Sequence, residues 1–322
     1  MSRNTRKAAV LLKIETTYGT DAVPAYGANE MLVSNQRIVP LKANNVDRAL
    51  VRPYFGASEQ LVGTRSVELS FDIEFVGSGA AGQAPRWGAA LRACAMAEVV
   101  TASTRVDYTP ITDSAESATI IYHDDGVNHK LLGARGDVAF KLNAGGKPIM
   151  SFTFQGLYGG IVAGSPGVAD YSAFKTPLVV TDANTGDVML GGTVASTGAP
   201  AISGGTAFPS TGLEVTLGNS VNFTALLGGE SVDITGREAV GKLVVDMTPA
   251  QEVSKMADVL AATLTGVSLI HGTAAGFKTL VHMPAAQFID PSKEELNGRR
   301  LNGYSVRATP VAGNDELRIV CF

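Results

Sequence analysis

Hydrophobic and polar positions alternate most strictly in TRSVELSFDIEF, residues 64 to 75, where Val67, Leu69, Phe71, Ile73 and Phe75 are separated by Ser66, Glu68, Ser70, Asp72 and Glu74. A period of two puts one set of side chains on a dry face and the other on a wet face, which predicts a half-buried strand. Such alternation belongs to antiparallel sheets, because parallel strands are covered on both faces. RGDVAFKLNAGGKPIMSFTFQG, residues 135 to 156, follows the same pattern and predicts a hairpin turning at Gly145 and Gly146. Two segments carry the helical period instead. PRWGAALRACAMA, 85 to 97, places Trp87, Leu91 and Cys94 on one face with Pro85 in the first turn, and is expected to pack on the dry sheet face. TPAQEVSKMADVLAATLTG offers Thr248 as N-cap, Pro249 at the first position, Gln251 for a capping box and Gly266 past the end, with Val253, Met256, Leu260 and Leu264 as its apolar stripe.

Set side by side, these elements form a repeat. A Gly near an Arg (Gly63 and Arg65; Gly236 and Arg237) precedes a strand, SVELSFDIEF or AVGKLVVDM, and then one of the two helices. TIIYHDDGVNHKLL (119 to 132) next parallels SLIHGTAAGFKTLV (268 to 281), with His123 beside His271, Gly126 beside Gly276 and Lys130 beside Lys278. Each half closes on a hairpin, Gly136 to Phe154 or Gly303 to Phe322. Between them the chain is rich in Gly, Ser, Thr and Pro, including an irregular segment near 186 to 212, which places a boundary near residue 176. A second irregular stretch, 43 to 63, is long for a connection inside a domain. Its Arg52, Tyr54 and Phe55 favour docking on a neighbour.

Composition narrows the function classes. The 322 residues allow two cores or one elaborated core, and 45% apolar against 17% charged residues describe a folded chain whose 36 Gly and 14 Pro supply turns. A net charge of −4 gives no basic stripe for gripping nucleic acid. Cys94 and Cys321 are too few and too far apart for a disulfide framework or a metal cluster, and fit a reducing cytoplasm. Ala8 to Leu12 falls short of a signal-peptide core, and no stretch approaches a membrane span.

The reactive-looking motifs have cheaper explanations. GSGAAG at Gly77, Gly79 and Gly82 matches a dinucleotide-binding turn, but its strand alternates, Pro85 intervenes before the helix, and no acidic residue follows where a ribose needs one. His123, Asp124 and Asp125 precede Gly126, and Asp-Gly is turn chemistry. His129, His271 and His282 show no ligand spacing. There is no G-x-S-x-G elbow and no phosphate-cradling G-x-x-x-x-G-K-S/T, and Cys94 sits in an apolar stripe where a thiol is inert. No catalytic site, metal or cofactor is expected.

The segments LLKIETTYGTDAVP, RSVELSFDIEFVGSG, PRWGAALRACAMAE, DGVNHKLLGARGDVAFKLNAGGKPIMSFTFQGLYG and GNDELRI together resemble the major tail tube proteins of bacteriophages with long non-contractile tails, the siphovirus type. The resemblance covers most of the chain and is weakest from about 160 to 235. It implies a mainly β fold, a β-sandwich or barrel with flanking helices, assembled into rings whose inner strands form a continuous barrel and which stack into a hollow tube for the genome. Short family members carry one module and six modules make a ring. This chain reads as two, residues 1–176 and 177–322, so three copies give a pseudo-sixfold ring; with a single tube module, six copies are needed. On the same resemblance Arg52, Tyr54 and Phe55 contact an adjoining ring. Ser66, Glu68, Ser70, Asp72, Glu74, Lys242 and Asp246 are candidates to line the lumen, where an acidic wall lets DNA slide without sticking. The implied partners are further copies of the chain, tail proteins at the tube ends, a tape-measure protein and DNA in transit, with no membrane. The implied location is the virion tail, after assembly in the host cytoplasm. A secretion-type tube or a capsid-decorating protein is the structural alternative. A carbohydrate-binding or enzymatic β-sandwich ranks below both, for want of a convergent polar pocket.

Overall fold

In the computed structural model, which describes residues 3–322, the alternating segments are strands and every strand pairing is antiparallel. Gln60–Glu74 buries Val67, Leu69, Phe71 and Ile73 and leaves Glu68, Ser70, Asp72 and Glu74 half-exposed. Val127–Asn143 and Ile149–Ala163 form the expected hairpin, with Gly145 supplying a positive φ of 77° that a side chain would resist.

One continuous run of eight strands organises the molecule. It begins at Ser34–Asp47, which pairs with Gln60–Glu74, then Ile149–Ala163, then Val127–Asn143. Val127–Asn143 pairs in turn with Ser210–Thr216, and the run continues through Val240–Val245 and Arg299–Ala308 to the end of Thr279–Leu296. The second four strands repeat the pairing order of the first. Val127–Asn143 and Thr279–Leu296 both pass through register shifts and also pair with an outer strand, Ala118–Asp124 or Leu264–His271. Register repeats as well. Ala43 stands opposite Arg65 and Asn45 opposite Val62 across an irregularity, just as Asn219 stands opposite Arg237 and Val221 opposite Ile234.

The halves nevertheless share one sheet and one core. The hairpin Met96–Thr101 and Arg105–Pro110 pairs with Arg318–Cys321, and the main cluster of buried side chains extends from Val10 to Cys321. Phe71, Phe152 and Phe154 stack at centroid separations of 5.7 and 5.8 Å, and Trp87 packs on Phe75 and Tyr108 while its indole donates to the Val76 carbonyl at 2.9 Å. Each such ring removed from water contributes on the order of 2 kcal/mol. Near the expected boundary at 176 the chain does not leave the body. Val180 is buried, and its carbonyl accepts from Gly145 at 2.8 Å. The architecture is sandwich-like, and among the described residues the run does not close into a barrel within one chain, because Ser34–Asp47 is paired there on one side only.

Two helical expectations need correction. The helix predicted over 85 to 97 is only Gly88–Arg92: Ala95 takes a left-handed φ of 56° and Met96 begins the strand that pairs with Arg105–Pro110. Tertiary pairing overrides helix propensity there. Pro249–Leu260 has the predicted capping box, Thr248 and Gln251 each bonding the other's backbone N–H at 3.4 and 2.9 Å. It stops at left-handed Ala262 (φ 53°), and Gly266 lies inside the strand Leu264–His271. Its apolar stripe faces outward, with Val253, Leu260 and Leu264 exposed by 72%, 83% and 52% and Met256 half-buried. The buried face carries Lys255, whose ammonium lies 4.9 Å from the Phe288 ring centre.

Candidate functional site

The surface built most consistently is the polar face of the eight-strand run. Directly opposed residues share a face in an antiparallel sheet, so Glu74, Ile149, Lys141, Glu214, Lys242 and Ser305 form a row across it. The lumen candidates Glu68, Ser70, Asp72, Glu74, Lys242 and Asp246 all keep some exposure, whereas Ser66 is buried beneath Gln155, whose amide reaches it at 3.4 Å. The acids on this face do not stand alone. Glu68 pairs with Lys42, Glu74 with Lys147 at 3.3 Å, Asp246 with Arg299, and Lys242 with Glu294 at 3.1 Å, while Asp72 accepts from Asn35 at 2.7 Å. The face is polar and charge-balanced rather than an acidic wall.

A two-stranded arm projects from each half of the run. The second, Asn219–Leu226 with Gly229–Arg237, folds back onto the first half. Asn219 donates its side-chain amide to the carbonyls of Cys94 (2.7 Å) and Gly136 (3.0 Å). Arg135 donates to the Val232 carbonyl (2.9 Å) and pairs with Asp233 (2.8 Å), its guanidinium 4.9 Å from the Tyr18 ring centre. The first arm, the outer part of Ser34–Asp47 with Gln60–Glu74, has no such seat. Its Leu41, Val46, Leu61 and Val62 are exposed, and its tip carries Val51, Tyr54 and Phe55 to solvent beside Arg52, which pairs with Glu59 at 3.4 Å. The run also ends in two unpaired edges, Ser34–Asp47 and the last residues of Thr279–Leu296. Arg37, Lys141, Glu214, Asn219 and Glu294, which stand at these junctions, could not be singled out by alternation, since only the pairing order shows which strand lies at an edge.

The residues that look reactive serve backbone geometry. Gly79 donates to the Gly276 carbonyl at 2.9 Å, and a Cβ on Gly77 would sit 2.2 Å from that oxygen, so this glycine run lets two loops touch. Asp125 and Gly126 take φ values of 37° and 95°, a tight turn. His123 is buried beside it with Nδ1 2.7 Å from Asn128, and Nε2 accepts the Gly126 N–H at 3.3 Å. His271 holds the matching place in the second half, bonded to Thr185 and the Leu178 carbonyl. Burial lowers the pKa of His271 and, with help from Arg318, lowers that of His282 to about 4. Burial likewise pushes the Cys94 thiol well up and raises that of Cys321, so both stay protonated. Among the described residues no group of three or more His, Cys, Asp or Glu gathers as a metal site, and no helix is long and apolar enough to cross a membrane.

No curated protein matches the chain. The sequence pattern that defines phage tail tube proteins matches residues 5–315, a span that takes in both arms, both helices and the whole eight-strand run. A match across nearly the whole chain, on a mainly β fold whose most elaborate surfaces are strand edges and arms, makes this chain a member of the phage tail tube protein family, a structural component of the virion tail.

Proposed function

We propose that the chain carries the tube module twice, divided near residue 176, and that three copies close into a pseudo-sixfold ring. The observation that carries this reading is the joined run of eight strands: two runs of four with the same pairing order, meeting side by side and leaving one unpaired edge at each end. An unpaired edge exposes a row of N–H and C=O groups, and edge-to-edge closure satisfies them while removing an aggregation hazard. The polar face of the run lines the lumen. Its balanced charges neither bind nor strongly repel a passing polyanion, which suits genome passage. Rings stack through the tip of the first arm, where Arg52, Tyr54 and Phe55 are exposed. Other tail proteins cap the tube and a tape-measure protein occupies it during assembly in the host cytoplasm. Imaging of assembled tubes tests the stoichiometry. Three chains per ring with sixfold-like density are expected, and rings of six whole chains would overturn the reading.

A further inference from the structure

Resting on that ring, we propose that the seam between two copies reuses the register of the seam inside the chain, so that Glu294 of one copy stands directly opposite Arg37 of the next. Inside the chain, residues 139–143 pair with 212–216, and Lys141 faces Glu214. The repeated register says what occupies those places at the two unpaired edges. Glu214 lies opposite Lys242, and Arg37 lies opposite Ser70; Lys242 and Ser70 are equally far from the matching Arg237 and Arg65. On the other side Lys141 lies opposite Ile149, and Glu294 lies opposite Leu301. Ile149 and Leu301 are equally far from Gln155 and Arg307, which face the matching Glu68 and Val240. Arg37 therefore occupies the place of Glu214, and Glu294 that of Lys141. The charges have exchanged sides and remain complementary. Opposed charges facing across strands stabilise a pair, whereas like charges weaken it.

A second, independent observation places the same neighbour. Both helices end at a left-handed alanine, Ala95 or Ala262, whose N–H bonds the carbonyl three residues back at 3.1 Å in each case. In the first half this end is buried, and the Cys94 carbonyl takes the Asn219 amide from the base of the second arm. In the second half Ala261 and Ala262 are exposed beside the outward-facing Leu260 and Leu264. The position matching Asn219 is Ala43, at the base of the unseated first arm, flanked by the exposed Leu41 and Asn44. One bare helix end and one bare arm base per chain fit each other in a second copy of this chain, as their counterparts do within it.

The test uses the full-length chain carrying Arg37→Cys with Glu294→Cys. Directly opposed Cβ atoms lie about 5 Å apart and diagonal ones about 7 Å or more, so disulfide formation reports register. The natural Cys94 and Cys321 are buried and do not compete. Oxidised tubes are expected to give a ladder on non-reducing gels that ends at three linked chains. Arg37→Cys with Ser292→Cys, displaced by two residues, is expected to stay unlinked. Arg37→Glu and Glu294→Arg alone should each lower tube yield about tenfold, and the two together should restore it. Leu260→Lys should lower yield with the urea midpoint of the free subunit unchanged. Tubes that form but never link, or single reversals that assemble as the parent does, overturn the seam and leave the ring standing. A parent chain that forms neither rings nor tubes overturns both.

Discussion

Replacing Asn219 with Ala tests how firmly the two halves are bound to each other. Asn219 is 9% exposed and bridges the carbonyl after the first helix to the carbonyl of Gly136 in the sheet, while its own N–H bonds the Asp137 carboxylate at 3.0 Å. The substitution removes the two side-chain donors and leaves the Cys94 and Gly136 oxygens short of them in a site closed to water. Each lost bond is worth about 1 kcal/mol net, and an unsatisfied buried group adds on the order of 1 kcal/mol or more, giving a loss of about 3 kcal/mol. Backbone bonding of Asn219 survives, so the arm stays attached and the urea dependence should shift in midpoint without a change in slope. The single Trp, Trp87, is buried in the shared core and reports the transition by fluorescence. Asn222→Ala, on the exposed side of the same arm, is the control and should cost under about 0.5 kcal/mol. A loss at Asn219 no greater than that of the control would refute the view that this amide locks the halves together.

Acid should destabilise the subunit through its buried imidazoles. The folded pKa of His282 is about 4 against an ordinary 6.5, so between these values the folded state binds fewer protons than the unfolded one. Stability is therefore fully present above pH 6.5 and falls toward pH 4, by about 3 kcal/mol for this group; His282→Gln should flatten the decline in melting temperature over that window. Gly77→Ala forces a methyl to within 2.2 Å of the Gly276 carbonyl oxygen and should cost about 2 kcal/mol by urea titration, unlike Gly145→Ala, where the added atom meets nothing within 4 Å and only the backbone angle resists. Deleting residues 46 to 60 removes the exposed tip and part of the arm but nothing from the core; a folded, soluble subunit that forms no tubes by negative stain is expected.

Much of the fold was legible because its physical causes are local. The alternation at Val67 to Phe75, the Gly145 turn and the Thr248 capping box depend on neighbours in sequence, and each stands where the pattern puts it. The recurring strand pattern is local in the same way, but its second closing hairpin was misplaced: Arg299–Ala308 turns from Thr279–Leu296, and Arg318–Cys321 pairs instead with residues 279–282 and with Arg105–Pro110. What failed depended on distant pairing. The segment 85 to 97 has a helical period, but its last residues, Met96 and Ala97, pair as a strand with Arg105–Pro110, which in turn meets Arg318–Cys321 from the far end of the chain. The stripe of Val253, Leu260 and Leu264 reads as a buried face, yet this helix lies outside the sheet and keeps Lys255 inward. A hydrophobic period shows that a face avoids water without saying which surface covers it. The acidic alternation likewise revealed Glu68 and Glu74 but not Lys42 and Lys147, their partners, which come from a different strand and from a turn.

On the proposed ring of three chains, carrying two modules in one chain changes the energetics of closure. In a ring of single modules every seam is an association between molecules, and each must overcome the loss of translational and rotational freedom, several kcal/mol by any account. Joining two modules covalently makes every second seam intramolecular, where the effective concentration of the partner edge is set by the linker rather than by the cell. The seam from 139–143 to 212–216 is of this kind, and it is reinforced by an arm clasp through Asn219, Arg135 and Asp233. It is therefore free to be permanent. On the proposed seam, Arg37 and Glu294 stay apart in the free subunit and meet only on assembly, and the two edge strands are charged accordingly: Arg37, Lys42, Lys293, Glu294 and Glu295 all stand on them. Charges on an edge discourage indiscriminate strand pairing while still permitting the one register in which they match. The same proposal accounts for the divergence between the halves: the arm seated within the chain buries Val232 outright, whereas the arm assigned to a neighbour keeps Leu41, Val46, Leu61 and Val62 exposed in the free subunit.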